Sequence, residues 1–139
     1  MRTLALAFAT LAVVAVAGAA AAEKEKDVKK ADTRYFELRT YHAAAGKMDA
    51  LNTRFKEHTN KLFKKHGMEI VGFWTDVNQP DVLVYMLAYP SKEARDKSWK
   101  AFQEDPDWIK AKSESEKDGK LVDKVESKFL TPTDYSPIK

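Results

Sequence analysis

Val82–Tyr89 (VLVYMLAY) is apolar from end to end and is bounded by Asp81 and Pro90. A strand sends alternate side chains to opposite faces, so a strand of this kind needs cover on both. Met68–Thr75 (MEIVGFWT) has the same two-sided character. Between them, Asp76–Asp81 (DVNQPD) supplies Asn, Pro and Asp as turn chemistry, and the pair reads as a hairpin. A sheet built on this hairpin and covered by helices on one face alone would leave a large apolar patch on the other. A second sheet is the expected cover.

The rest of the chain supplies the other elements. Tyr35–His42 (YFELRTYH) reads as a strand, with Phe36, Leu38 and Thr40 on one face and Tyr35, Glu37, Arg39 and Tyr41 on the other. Ala43–Gly46 turns the chain. A helix follows over about Lys47–His66, with the stripe Met48, Leu51, Phe55, His58, Leu62 and Phe63 and with Gly67 as its left-handed stop. After Pro90, Ser91 caps a helix over about Lys92–Gln103 whose inner side carries Ala94, Ser98, Trp99 and Phe102. Asp105–Pro106 starts another helix, anchored by Trp108 and Ile109. From Ala111 to Lys120 the chain is charged and solvated, with Gly119 as a stop; Leu121–Leu130 is the last strand, and Thr131–Lys139, with Pro132 and Pro137, is a tail that cannot pair as a central strand. Strand–helix–strand twice over is the α+β, ferredoxin-like split βαβ plan, an antiparallel sheet with helices on one face. Two such sheets meeting face to face give a dimeric α/β barrel, and a C2 homodimer is its simplest form.

The amino-terminal residues stand apart from this plan. Arg2 is followed by an apolar, small-residue run from Leu4 to Ala17, and Ala20–Ala22 offers a cleavage site. Residues 1–22 are therefore expected to be a signal peptide, which exports the protein to the periplasm or the exterior and leaves no stable membrane anchor. Residues 23–33 form a charged leader with one large apolar residue, Val28, and the folded domain is expected over 34–137. The net charge of +3 drops by one without Arg2, and lysines and acids are interleaved, so nucleic acid is not an expected partner. The chain has no cysteine, which excludes disulfides and thiolate chemistry.

Few residues invite chemistry. His58 and His66 lie two turns apart on one helix, too far to share an ion, and no metal site is expected. His66 complements the negative end of its helix. His58, on the apolar stripe, is either a core histidine or a proton acceptor facing a cavity between helix and sheet. Glu37 and Arg39 share a face. They read either as an ion pair at the sheet-to-sheet interface that fixes dimer register, or as an anion site in which Arg39 acts with Tyr41 and His42. Trp74, Tyr85 and Tyr89 read as core aromatics, Trp74 remaining a pocket candidate, and Trp99 and Trp108 as clamps between helices and sheet. No nucleophile with a neighbouring base, phosphate loop or carboxylate pair is present, so hydrolase and nucleotide-dependent functions have no motif.

Tyr35–Tyr41, Gly46-Lys47, Val71-Gly72-Phe73-Trp74, Val84–Tyr89, Arg95, Asp105-Pro106-x-Trp108, Glu126-Ser127-x-x-Leu130-Thr131-Pro132 and Ser136-Pro137 follow one another in an order and spacing that resembles the NIPSNAP family. The resemblance runs from about Arg34 to Pro137. It implies the dimeric α/β-barrel superfamily, whose pocket lies between sheet and helices. NIPSNAP proteins have no reaction assigned as a family, while the wider superfamily includes cofactor-independent monooxygenases and haem-binding or haem-degrading proteins. The hairpin here lacks the glycine expected of the family, and export departs from the mitochondrial and cytoplasmic setting of other relatives. The expectation is a homodimer binding a small apolar or aromatic ligand through Arg39, Tyr41, His42, His58 and Trp74, with Glu37 and Arg39 at the dimer interface. The cofactor expected is none, with haem as the superfamily's alternative. An enzyme of the monooxygenase or haem-degrading type and a purely structural dimeric scaffold are the other readings.

Overall fold

The computed structural model describes residues 34–139, so the signal peptide and leader lie outside the described residues. Strand β1 (Tyr35–Ala43) leads into a helical segment in three parts: α1 (Met48–Arg54), a π-helical turn (Phe55–Thr59) and α2 (Asn60–Lys65). Gly67, at φ +73°, ends it in the left-handed conformation that its position after His66 predicts. Strands β2 (Glu69–Thr75) and β3 (Val82–Tyr89) form the hairpin. Asp76 Oδ1 accepts from the backbone N–H groups of Asn78 and Gln79, so an Asx turn replaces the expected glycine. Helix α3 (Lys92–Glu104) is capped by Ser91, whose hydroxyl accepts from Ala94 N–H at 3.1 Å. Asp105 both ends α3 and caps α4 (Pro106–Ser115), with Pro106 in its first turn. Strand β4 (Val122–Leu130) completes the chain before the tail.

The sheet is antiparallel in the order β2-β3-β1-β4, which is the ferredoxin-like arrangement with β1 and β3 central. Register fixes the faces. Arg39 lies opposite Tyr85, Glu37 opposite Leu87 and Tyr35 opposite Tyr89, and all of these point to the helices. The core on that side joins Leu51, Phe55, Leu62 and Phe63 to Leu83, Tyr85, Leu87, Tyr89, Trp99 and Phe102. Complete burial of aliphatic and aromatic side chains of this size, at about 1.5–3 kcal/mol each, drives the helices onto the sheet.

The opposite face carries Phe36, Leu38, Val84, Met86 and Trp74. Among the described residues no helix covers it, and the C-terminal tail folds back over one end, where Pro132 and Ile138 surround Phe36. Trp74 is 51 % exposed there and lies flat over Gly72. A β-carbon on Gly72 would sit 2.7 Å from the indole.

The two faces of β1 are thus the reverse of what an interface role for Glu37 and Arg39 requires. Those two residues and Tyr41 turn towards the helices, while Phe36, Leu38 and Thr40 take the open side. The physical reason is Arg95, which descends from α3 to meet Glu37 and makes a charged group affordable in the interior.

Candidate functional site

Glu37 is fully buried, and every approach to its carboxylate is occupied. Arg39 Nη1 donates to Oε1 at 2.7 Å, and Arg95 donates to Oε1 from Nη2 at 2.8 Å and to Oε2 from Nε at 2.9 Å. Trp99 Nε1 donates to Oε2 at 2.8 Å and lies 2.9 Å from the Tyr89 hydroxyl. Burial would push the Glu37 carboxyl up, but the hydrogen bonds and charges of Arg95 and Arg39 outweigh it and hold the group below its ordinary range. This buried network fastens α3 to β1 and aims Arg39 sideways.

Beside it lies a cavity of about 750 Å³ between the sheet and the helices. Its floor is Tyr41, Phe55, Thr59, Phe63, Trp99 and Phe102; Arg39, Arg54 and Trp108 form its walls, and Lys112, Glu116, Lys120 and Val125 its rim. The Arg39 guanidinium stacks 4.4 Å from the Trp99 ring centre and donates from Nη2 to the Tyr41 hydroxyl at 3.3 Å. Burial disfavours its charge, but the neighbouring Glu37 carboxylate and the Tyr41 oxygen hold its proton, so it stays a cation. Arg54 stacks 5.2 Å from Trp108 and pairs with Glu116 at 2.9 Å, and its side chain is only 5 % exposed. Tyr85 is wholly buried against Tyr41 and Phe55, and burial raises its phenol well above the ordinary value.

The predicted site residues divide between the two sides of the sheet. Arg39 and Tyr41 line the cavity. His42 lies on the open face, half-buried, with Glu126 3.6 Å away, and Trp74 is on that face too. His58 points outwards and is nearly half exposed, because the π turn inserts one residue into the helical register. Thr59 takes the inward place that a 3.6-residue period assigns to His58, and its hydroxyl bonds the Arg54 carbonyl at 3.3 Å. Trp99 and Trp108 are walls of the cavity as well as clamps. Arg54 escaped the sequence reading altogether; the signal for it is a cation one residue before Phe55 on the apolar stripe. His66 Nε2 lies 2.7 Å from Asp105, which also pairs with Lys65 at 2.7 Å, so this histidine ties α2 to the α3–α4 joint. Among the described residues, no three of His, Cys, Asp and Glu come together as a metal site.

The sequence matches the NIPSNAP family over residues 36–137, most of the chain. The chain belongs to the NIPSNAP family. Comparison with curated proteins returns no match. The fold of this NIPSNAP domain is similar to that of a NIPSNAP family protein of unknown function from Agrobacterium tumefaciens. The two share 23% identity at a TM-score of 0.69, over 78% of this chain and 96% of that one. A NIPSNAP domain protein from Burkholderia xenovorans is similar at 22% identity and TM-score 0.65, over 74% and 98%. The wider fold reaches a putative antibiotic biosynthesis monooxygenase from Chloroflexus aurantiacus at 21% identity and TM-score 0.53, over 76% and 99%. At these identities the likeness is one of fold.

Proposed function

We propose that this NIPSNAP protein is an exported, homodimeric binding protein that holds a small apolar or aromatic molecule in the cavity between sheet and helices. One observation carries the reading: the cavity of about 750 Å³ has an aromatic floor and a few convergent polar groups. The volume is that of a small-molecule site, and the aromatic floor is the apolar part of a lining whose walls and rim are polar and charged. Two tryptophans offer flat surfaces, and Arg39 and Tyr41 offer hydrogen bonds in fixed positions.

The open face of the sheet supports the dimer reading. Leu38, Val84, Met86 and Trp74 form an apolar surface that a second sheet would cover, and the two-sided strands β2 and β3 call for such cover. Export rests on the composition of residues 1–22.

Haem suits this cavity poorly. Its lining has no histidine, cysteine or methionine to serve as an axial ligand, and the hydroxyl of its one tyrosine, Tyr41, is engaged by Arg39.

The test is mass spectrometry of compounds released from protein purified from its native source. The expected result is one retained aromatic or apolar compound that is lost in Trp108→Ala and kept in His58→Ala, since His58 points away from the cavity. Retention unchanged in Trp108→Ala would sink the assignment. Oxygen uptake with a hydroquinone, dependent on Tyr41, would convert the binding protein into a monooxygenase.

A further inference from the structure

The charges around the cavity do not balance, and the imbalance lies at its deep end. Glu37 is a single carboxylate facing two guanidiniums, those of Arg39 and Arg95. Arg95 also touches Asp96 at 3.2 Å, but Asp96 is shared with Lys92 at 2.7 Å. Three cations therefore meet two carboxylates, which leaves one positive charge over. Of the three, Arg39 is the most buried, with a side chain 12 % exposed, and it is the one that lines the cavity. A part-buried cation without a full partner is costly, and that cost falls if an anion enters.

The second guanidinium gives no relief, because Arg54 is matched one to one by Glu116. At the rim Lys120 pairs with Asp123 at 3.0 Å, and Lys112 adds a positive charge to the approach, Glu116 being taken up by Arg54. Two buried nitrogens of lining residues agree with this: Arg39 Nε and Arg54 Nε have no hydrogen-bond partner among the described residues. The surroundings limit the anion as well. One surplus charge with aromatic walls suits a monoanion, whereas a phosphate dianion would overcompensate and would find no glycine-rich loop to cradle it.

We propose that the cavity selects a monocarboxylate with an aromatic or planar apolar body, its carboxylate placed at the Arg39 end and its body against Trp99 and Trp108. The inference rests on the binding role proposed above and adds the charge of the ligand to it. Arg39 is held by Glu37, Ser127, Tyr41 and the Trp99 ring, so its guanidinium is oriented before any ligand arrives. Preorganisation of this kind lets a single ion contact act as a filter on ligand class.

Two probes of nearly identical shape separate charge from shape: 2-naphthoate and its neutral counterpart 2-naphthamide, titrated calorimetrically into the full chain. The expected result is at least tenfold tighter binding of the naphthoate, with the preference shrinking as salt rises. Arg39→Gln should abolish the preference, since it leaves Glu37 paired one to one with Arg95 and the fold intact, and Arg39→Lys should retain much of it. Equal affinity for both probes would overturn the charge filter and leave the cavity reading standing. A preference that survives in Arg39→Gln would place the anion elsewhere and overturn the proposal. Binding of neither probe would overturn the cavity reading together with this one.

Discussion

Replacing Glu37 by glutamine changes one atom and removes the charge that two arginines share. The shape is kept, and Oε1 can still accept a bond, but the new amide N–H group faces donors from Arg95 and Trp99. Removing one partner of a buried ion pair costs about 3–5 kcal/mol. Arg39 and Arg95 keep side-chain exposures of 12 % and 20 %, so water softens the loss and the lower end, about 3 kcal/mol, is expected. For a domain of this size each kcal/mol moves the thermal midpoint by about 4–8 °C, which gives a fall of about 12–24 °C. Differential scanning calorimetry at pH 7 measures it directly. The pH dependence gives a second reading. The Glu37 carboxyl is held below its ordinary 4.5, so its contribution is complete above that pH and is lost as pH falls through the depressed folded-state value. The natural protein should therefore lose more stability than Glu37→Gln between pH 5 and pH 3. A midpoint shift below about 4 °C with parallel pH profiles would refute the reasoning, since it would mean that the network contributes no more than a surface pair.

Other expectations follow from single contacts. Asp105 is held low by hydrogen bonds from Lys65 and His66, so Asp105→Asn should flatten the acid limb of stability while helix capping survives, as urea melts at pH 3 and pH 7 would show. Gly72→Ala should lift the Trp74 indole off the sheet and shift its NMR resonance with little loss of stability, because the crowded atoms belong to an exposed side chain. An unmoved resonance would contradict that geometry. Met86→Asp on the open sheet face should convert a dimer to monomer in sedimentation velocity, and an unchanged sedimentation coefficient would remove that face from the interface.

Much of this architecture is legible in the chain because its signals are local. Ser91, Asp105–Pro106 and Gly67 mark helix boundaries through caps and backbone conformation, and the apolar run VLVYMLAY marks a central strand. The orientation of β1 is not local. Glu37 and Arg39 look like a surface or interface pair until Arg95, far along the chain, arrives to share the carboxylate. His58 misleads for another reason. Its place on the stripe assumes 3.6 residues per turn throughout, and the π turn breaks that period at the residue that matters. Arg54 looks like an ordinary helix cation, and only the packing of Trp108 over it reveals a cavity wall.

The π turn also makes a statement about length. A helix that carries one surplus residue between Phe55 and Asn60 can lose it and still deliver Leu62 and Phe63 to the same places, as a regular α-helix. Relatives one residue shorter at this point should keep the same sheet, caps and arginines but have no counterpart of Thr59 on the cavity floor. A single-residue gap there, in otherwise collinear sequences, would mark two versions of this pocket.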